Sequence, residues 1–196
     1  MNRICAFDFD GTLTTRDTFL QFIRYVFSVR TFCLGFLLYS PLLVLMKLGC
    51  YPNWKVKQKV FSYFFKGMPY EEFSQLGRLF AIDTSHLLRP KAVAALREAE
   101  AKGAKVLIVS ASIDNWVQPF FPDVKVVGTQ VEVKDGRLTG RFLTKNCYGQ
   151  EKVNRILALY PNRETYHLTA YGDSQGDQEL LAFADEAHYK GKKVKR

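Results

Sequence analysis

Asp8 and Asp10 flank a single aromatic, Phe9, and Gly11-Thr12 follows at once. The preceding run, Ile4-Cys5-Ala6-Phe7, is apolar and leads into a glycine turn, which reads as a buried strand. Acids at the carboxyl end of such a strand lie where open parallel α/β sheets bind ligands. Positions i and i+2 on a strand share a face, so the two carboxylates are expected side by side. Two such charges repel and need a cation or a shared proton. A second acid pair appears later. The strand His167–Tyr171 runs into Gly172-Asp173-Ser174-Gln175-Gly176-Asp177, with a helix beyond it. Asp177 also reads as the N-cap of that helix. Ser110 ends the apolar strand that begins at Lys105, where a hydroxyl can donate to a phosphate oxygen. Lys152 sits in the first turn of a helix, where the macrodipole disfavours a cation, so an anion is expected beside it. Carboxylates are hard oxygen donors that suit Mg²⁺. A metal and a lysine can neutralise a transferring phosphoryl group, and an Asp carboxylate can attack phosphorus to form an aspartyl-phosphate.

These residues must be positioned by a repeating strand and helix pattern. Phe19, Phe22, Ile23, Val26 and Phe27 recur at helical spacing, with Asp17 or Thr18 near the N-cap. Asp17 either caps that helix or faces a substrate. Asn53–Lys66 forms another helix, and Gly67-Met68-Pro69 separates it from one built on Phe73, Leu76, Leu79 and Phe80. Pro90 opens a helix that Gly103 closes. The strand to Ser110 then completes a β-α-β unit of a parallel sheet. Val131–Gly140 alternates about Asp135-Gly136 as a hairpin that serves as scaffold or flap. Val153, Ile156, Leu157 and Tyr160 mark the helix behind Lys152. Residues 15–88 are thus a helical insertion between core segments 1–14 and 89–196.

Within that insertion, residues 32–46 (FCLGFLLYSPLLVLM) carry no charge and are bracketed by Arg30 and Lys47. As a helix the stretch spans roughly 22 Å, short of the ~30 Å hydrocarbon core, and Pro41 is expected to kink it. A simple transmembrane helix is not expected. The stretch reads as a buried helical hairpin or as a membrane-interface element. Basic residues outnumber acidic ones between 15 and 88, nine (Arg16, Arg24, Arg30, Lys47, Lys55, Lys57, Lys59, Lys66, Arg78) to four (Asp17, Glu71, Glu72, Asp83). The imbalance suits an anionic surface or a solvated helix face.

The chain has 196 residues and a net charge of +9, which points to anionic partners. It shows no aromatic-studded nucleic-acid motif, so no nucleic-acid partner is expected. Its four cysteines lack metal-type spacing and read as free thiols of a reducing compartment. The N-terminus runs straight into the first strand, so no signal peptide is expected. The location expected is the cytoplasm, with membrane association left open. His188–Arg196 is strongly basic and reads as a solvated tail or an anchor to acidic lipid. His86, His167 and His188 are assigned no chemistry.

The four motifs, in order, resemble those of the haloacid dehalogenase superfamily, and the chain as a whole resembles the subfamily containing phosphoserine phosphatases. The resemblance implies an α/β fold. Its core is a Rossmann-like, doubly wound parallel sheet, and a helical cap of the C1 type is inserted after the first strand. It implies Asp8 as nucleophile and Asp10 as the acid/base that protonates the leaving alcohol and then activates water. It places Ser110, Lys152, Gly11 and Thr12 on the phosphate. Mg²⁺ falls to the Asp8 carboxylate, the Asp10 carbonyl and Asp173, with Asp177 as water-mediated ligand or support. Asp10 favours a phosphatase over a dehalogenase, which does not need it. Asp17 stands where phosphoserine phosphatases place a Glu on the substrate amine. The apolar, basic insertion looks more like that of C-type phosphatidylglycerophosphatases. The expected substrate is a phosphomonoester, either lipid-borne or a small amino-alcohol type, with peripheral contact to an anionic membrane. A non-catalytic membrane-binding module on the same scaffold is the alternative of another class.

Overall fold

A computed structural model describes residues 2–194. Strand β1 (Asn2–Phe7) buries its last four residues and leads into a wide turn, closed by the Thr14 N–H donating to the Phe9 carbonyl at 3.0 Å. Asp10 therefore sits in this turn and not on the strand, which corrects the expected i, i+2 pairing along one strand face. Gly11 has φ +82°, a conformation that disfavours a side chain, and this bends the chain out of extended geometry.

Four helices follow: α1 (Thr18–Val26), α2 (Val29–Lys47), α3 (Asn53–Phe65) and α4 (Tyr70–Asp83). Helix α5 (Pro90–Ala101) returns the chain to strand β2 (Lys105–Ile113), and the short α6 (Asp114–Val117) leads to β3 (Lys125–Thr129). A hairpin of β4 (Val131–Lys134) and β5 (Arg137–Phe142) comes next, then α7 (Gln150–Leu159) and β6 (Tyr166–Gly172). The described residues end with α8 (Gln178–Phe183), β7 (Glu186–Tyr189) and β8 (Lys192–Val194).

The main sheet has the order β3-β2-β1-β6-β7-β8, parallel except for the last pair. From β1 the chain builds toward β2 and β3, then crosses over to lay β6 on the other side. The strand order reverses between β1 and β6, and such a reversal opens a crevice at the carboxyl ends of the strands. Alternate residues of β1 and β2 feed two cores. Cys5, Phe7 and Ile108 join the core of α1, α3, α4 and α5, while Ile4, Ala6, Leu107 and Val109 join that of α7 and α8. Helices thus cover both faces, as a doubly wound sheet requires.

The abundance of phenylalanine has a structural cause. Phe22 packs against Phe65, Phe73, Phe80 and Trp116 with ring centroids 4.7–5.6 Å apart. Each such contact adds about 0.5–1.5 kcal/mol beyond area burial. This aromatic cluster ties the helical insertion to the sheet. The hairpin is tied in as well: Gly67 N–H donates to the Leu138 carbonyl, and Leu138 N–H to that of Met68.

Two expectations change. Residues 32–46 are not a buried hairpin but part of the single helix α2, whose outer side is solvent-exposed. Pro41 does not break it. Proline lacks the N–H that would reach the Leu37 carbonyl, and the Ser40 hydroxyl takes that carbonyl instead at 2.8 Å. The basic end is not a free tail either: His188-Tyr189 belongs to β7, and Lys192–Val194 forms the antiparallel edge strand β8. Lys195 and Arg196 lie outside the described residues.

Candidate active site

Asp8 directly follows β1, and its N–H donates to the Tyr171 carbonyl of β6 at 2.9 Å. That bond pins the carboxylate at the strand reversal. Lys152, in the first turn of α7, reaches it there. The Lys152 ammonium donates to Asp8 Oδ1 and to Asp177 Oδ1, each at 2.5 Å, and all three side chains are buried. The anion expected beside Lys152 is therefore a pair of carboxylates. Burial alone opposes the lysine charge, but Asp8 and Asp177 outweigh it and hold the pKa above the ordinary value. Burial pushes Asp8 up to about 7, against the pull of Lys152.

Asp177 uses both oxygens. Its Oδ2 accepts from Ser174 N–H and Oγ at 3.0 and 2.8 Å, and from Asp173 N–H at 3.2 Å. Burial works against its charge, yet Lys152 and Ser174 keep its pKa below the usual range. Asp177 thus braces both Lys152 and the turn carrying Asp173. Asp173 accepts from the Thr12 hydroxyl at 3.1 Å, and a Cβ at Gly11 would run into its carboxylate. The Gly11 N–H donates to Thr14 Oγ1 at 3.3 Å. Arg89 secures the same turn by donating to the carbonyls of Gly11 and Thr14. Asp8, Asp173 and Asp177 bring carboxylate oxygens within 4.8 Å of one another. Such a cluster of hard donors fits Mg²⁺. Asp173 and the second oxygen of Asp8 could hold it together with the expected Asp10 carbonyl, while Asp177, already accepting from Lys152, Ser174 and Asp173, is placed to support them.

Asp10 is held differently. Its Oδ1 accepts from Thr18 N–H and Oγ1 at 2.7 and 2.6 Å, and its Oδ2 accepts from the Ser112 hydroxyl. Trp116 Nε1 donates to Thr18 Oγ1 at 3.1 Å and fixes that hydroxyl in turn. Burial raises the Asp10 pKa, and Asp17 raises it further. Ser110 is buried at the site, and its Oγ accepts the Ser112 N–H at 3.0 Å, which leaves its hydroxyl proton for another acceptor. Asp17 caps α1 through the Leu20 N–H at 3.2 Å and also lines the cavity above Asp8. Cap and cavity roles therefore coexist.

That cavity encloses about 520 Å³. Asp8, Asp10, Ser110, Lys152 and Asp173 form its floor; Leu20, Phe36, Leu43, Met46, Val56 and Val60 form an apolar wall. Sequence reasoning missed Thr18, Ser112, Trp116 and Lys57. Ser112 carried a signal, being two residues beyond Ser110 on β2. Trp116 and Lys57 have partners far away in the chain, and Thr18 meets Asp10 only across the Gly11 turn.

Residues 5–182 match the haloacid dehalogenase-like hydrolase family, and the chain belongs to that family. Protein CicA of Caulobacter vibrioides is 37% identical over 192 residues, covering 95% of this chain and 85% of its own length. A Bordetella pertussis protein of unknown function has a similar structure, with a TM-score of 0.80 at 20% identity over 95% of this chain and 89% of that one. A substrate-bound phosphoserine phosphatase aligns with a TM-score of 0.66 at 18% identity, covering 96% and 86%. These structural likenesses concern the fold.

Proposed function

We propose that the chain is a Mg²⁺-dependent phosphomonoester hydrolase that works through an aspartyl-phosphate on Asp8, with helical segment 15–88 as its cap. The observation that carries this reading is Lys152 bridging Asp8 and Asp177 in a buried pocket beside Asp173. Asp8 and Asp173 would hold the metal, which supplies charge neutralisation at the phosphoryl oxygens when bound. An Asp8 oxygen attacks phosphorus as the bond from phosphorus to the ester oxygen breaks. Asp10 gives its proton to the departing oxygen. Asp10 then takes a proton from water, the water oxygen bonds to phosphorus, and the bond to Asp8 breaks to release phosphate. Lys152 and the Ser110 hydroxyl hold the phosphoryl oxygens, with Gly11 and Thr12 shaping the turn around them. The raised pKa of Asp10 suits a group that must carry a proton in the first step.

Helix α2 favours a lipid or membrane-proximal phosphomonoester. Its outer side presents Leu34, Leu37, Leu38 and Leu45 at 40–70% exposure, at helical spacing. Its inner side supplies Phe36, Leu43 and Met46 to the cavity wall. By length and composition the helix could cross a membrane, but its packing on α3 suits lying in the interface. The net charge of +9 suits an anionic lipid surface. Free cysteines at Cys5, Cys33, Cys50 and Cys147 suit the cytoplasmic side. A small amino-alcohol phosphate is the second reading, favoured by the Asp17 carboxylate in the cavity wall.

A panel of p-nitrophenyl phosphate, phosphoserine and micellar phosphatidylglycerophosphate, assayed with Mg²⁺ and with chelator, tests the proposal. The expected result is Mg²⁺-dependent phosphate release, fastest on the lipid. Release that survives chelation contradicts the metal role, and fastest release from phosphoserine contradicts the lipid reading.

A further inference from the structure

Lys57 projects from α3 into the same cavity as Asp8 and Asp10. Its neighbours on that helix face, Val56 and Val60, are apolar and buried. A half-buried cation among apolar groups is costly unless an anion satisfies it. Among the described residues Lys57 makes no ion pair. Its ammonium donates to the Ala111 carbonyl at 2.9 Å and stands 5.2 Å from the Phe19 ring centroid. These two contacts fix the head group and leave other N–H donors open to the cavity. Lys152 differs, because two carboxylates already claim its charge.

The position of Lys57 identifies what it faces. Burial lowers the Lys57 pKa, and the carboxylates of Asp17, Asp10 and Asp8 oppose that shift. The Ala111 carbonyl that holds Lys57 directly precedes Ser112, whose hydroxyl holds Asp10, so Lys57 stands on the side of the residue that protonates the leaving oxygen. We infer that Lys57 is a specificity-determining residue that binds a second anionic group carried by the alcohol part of the phosphomonoester. This rests on the phosphatase reading and narrows its substrate class: the leaving group bears a negative charge a few bonds from the ester oxygen.

Two phosphonates matched in length test this without turnover. 3-Phosphonopropionate ends in a carboxylate, and n-propylphosphonate ends in a methyl group. Each is measured as a competitive inhibitor of p-nitrophenyl phosphate hydrolysis with Mg²⁺ present. The readout is the ratio of the two inhibition constants within each variant, so changes in turnover cancel. The wild type should bind the carboxylate compound about tenfold more tightly or better, as expected for a charge-assisted hydrogen bond. Lys57→Met should bring the ratio close to one, and Lys57→Arg should retain the preference. A wild-type ratio near one overturns the inference, and so does a preference that survives Lys57→Met. Isothermal titration calorimetry supplies the same ratio where turnover is too slow to inhibit. If Asp8→Asn leaves p-nitrophenyl phosphate hydrolysis unchanged, the phosphatase reading fails, while the calorimetric ratio still decides whether Lys57 reads an anion.

Discussion

Asp10 is tightly positioned in the site. Thr18 and Ser112 occupy both its oxygens, and Trp116 locks Thr18. Asp10→Asn keeps much of this frame but cannot move a proton. Steady-state turnover of p-nitrophenyl phosphate should fall about 10²–10⁴-fold, the usual worth of general acid/base catalysis. Unchanged turnover would refute the assignment. A second residue gives a stability test. Burial pushes Asp114 up to about 6, from an ordinary value near 3.8. Between those values the folded chain holds a proton that the unfolded chain has released. Stability therefore falls as pH rises through this window, and the full penalty applies above it. Asp114→Asn should raise the melting temperature more at about pH 8 than at about pH 5, by removing roughly 1–3 kcal/mol. An equal shift at both pH values would contradict this. Asp8, Asp10, Ser110, Lys152, Asp173 and Asp177 stood out in the sequence because each read as lying at a strand end or a helix start; β2 in fact continues to Ile113, so Ser110 sits within the strand and not at its end. Trp116 and Lys57 did not, because their roles come from contacts made only when distant segments fold together, and Thr18 did not, because its bonds to Asp10 form only once the Gly11 turn folds the chain back.

Helix α2 shows what an element adds. Composition revealed an uncharged stretch, but not whether it was buried, because an apolar run looks the same in a core and on a surface. Ser40 beside Pro41 offered a weak clue to one continuous helix, since its hydroxyl can cap the carbonyl that proline leaves free. Replacing Leu37, Leu38 and Leu45 by Gln should weaken sedimentation with anionic liposomes at low salt, while p-nitrophenyl phosphate turnover stays near wild type. A wild-type protein that remains in the supernatant would contradict the interfacial role. The parallel sheet was legible from its apolar strands and intervening helices. Strand β8 was not, because its lysines mimic a solvated tail. Charged residues on an edge strand are also a common guard against edge-to-edge pairing. The β4–β5 hairpin was legible from Asp135-Gly136, but its pairing with the α3–α4 corner was not, being a contact across 70 residues.

At the scale of the whole molecule, one sheet reversal gathers the chemistry. Asp8 leaves β1 and Asp173 leaves β6 on either side of it, and Lys152 arrives from the helix between β5 and β6. The helical segment inserted after β1 roofs this crevice with an apolar wall and the cations Arg16 and Lys57, so chemistry and selection come from different parts of the chain. The family's motifs make the floor readable from sequence. The roof is readable only in three dimensions, because it is assembled from α1, α2 and α3 together. The central claim is that Asp8 is the nucleophile of a phosphomonoesterase, and p-nitrophenyl phosphate hydrolysis with Mg²⁺ tests it most directly, comparing wild type with Asp8→Asn checked for an intact fold by circular dichroism. The account predicts steady turnover by the wild type and background release by the variant; equal rates in the two, whether fast or at background, would contradict it.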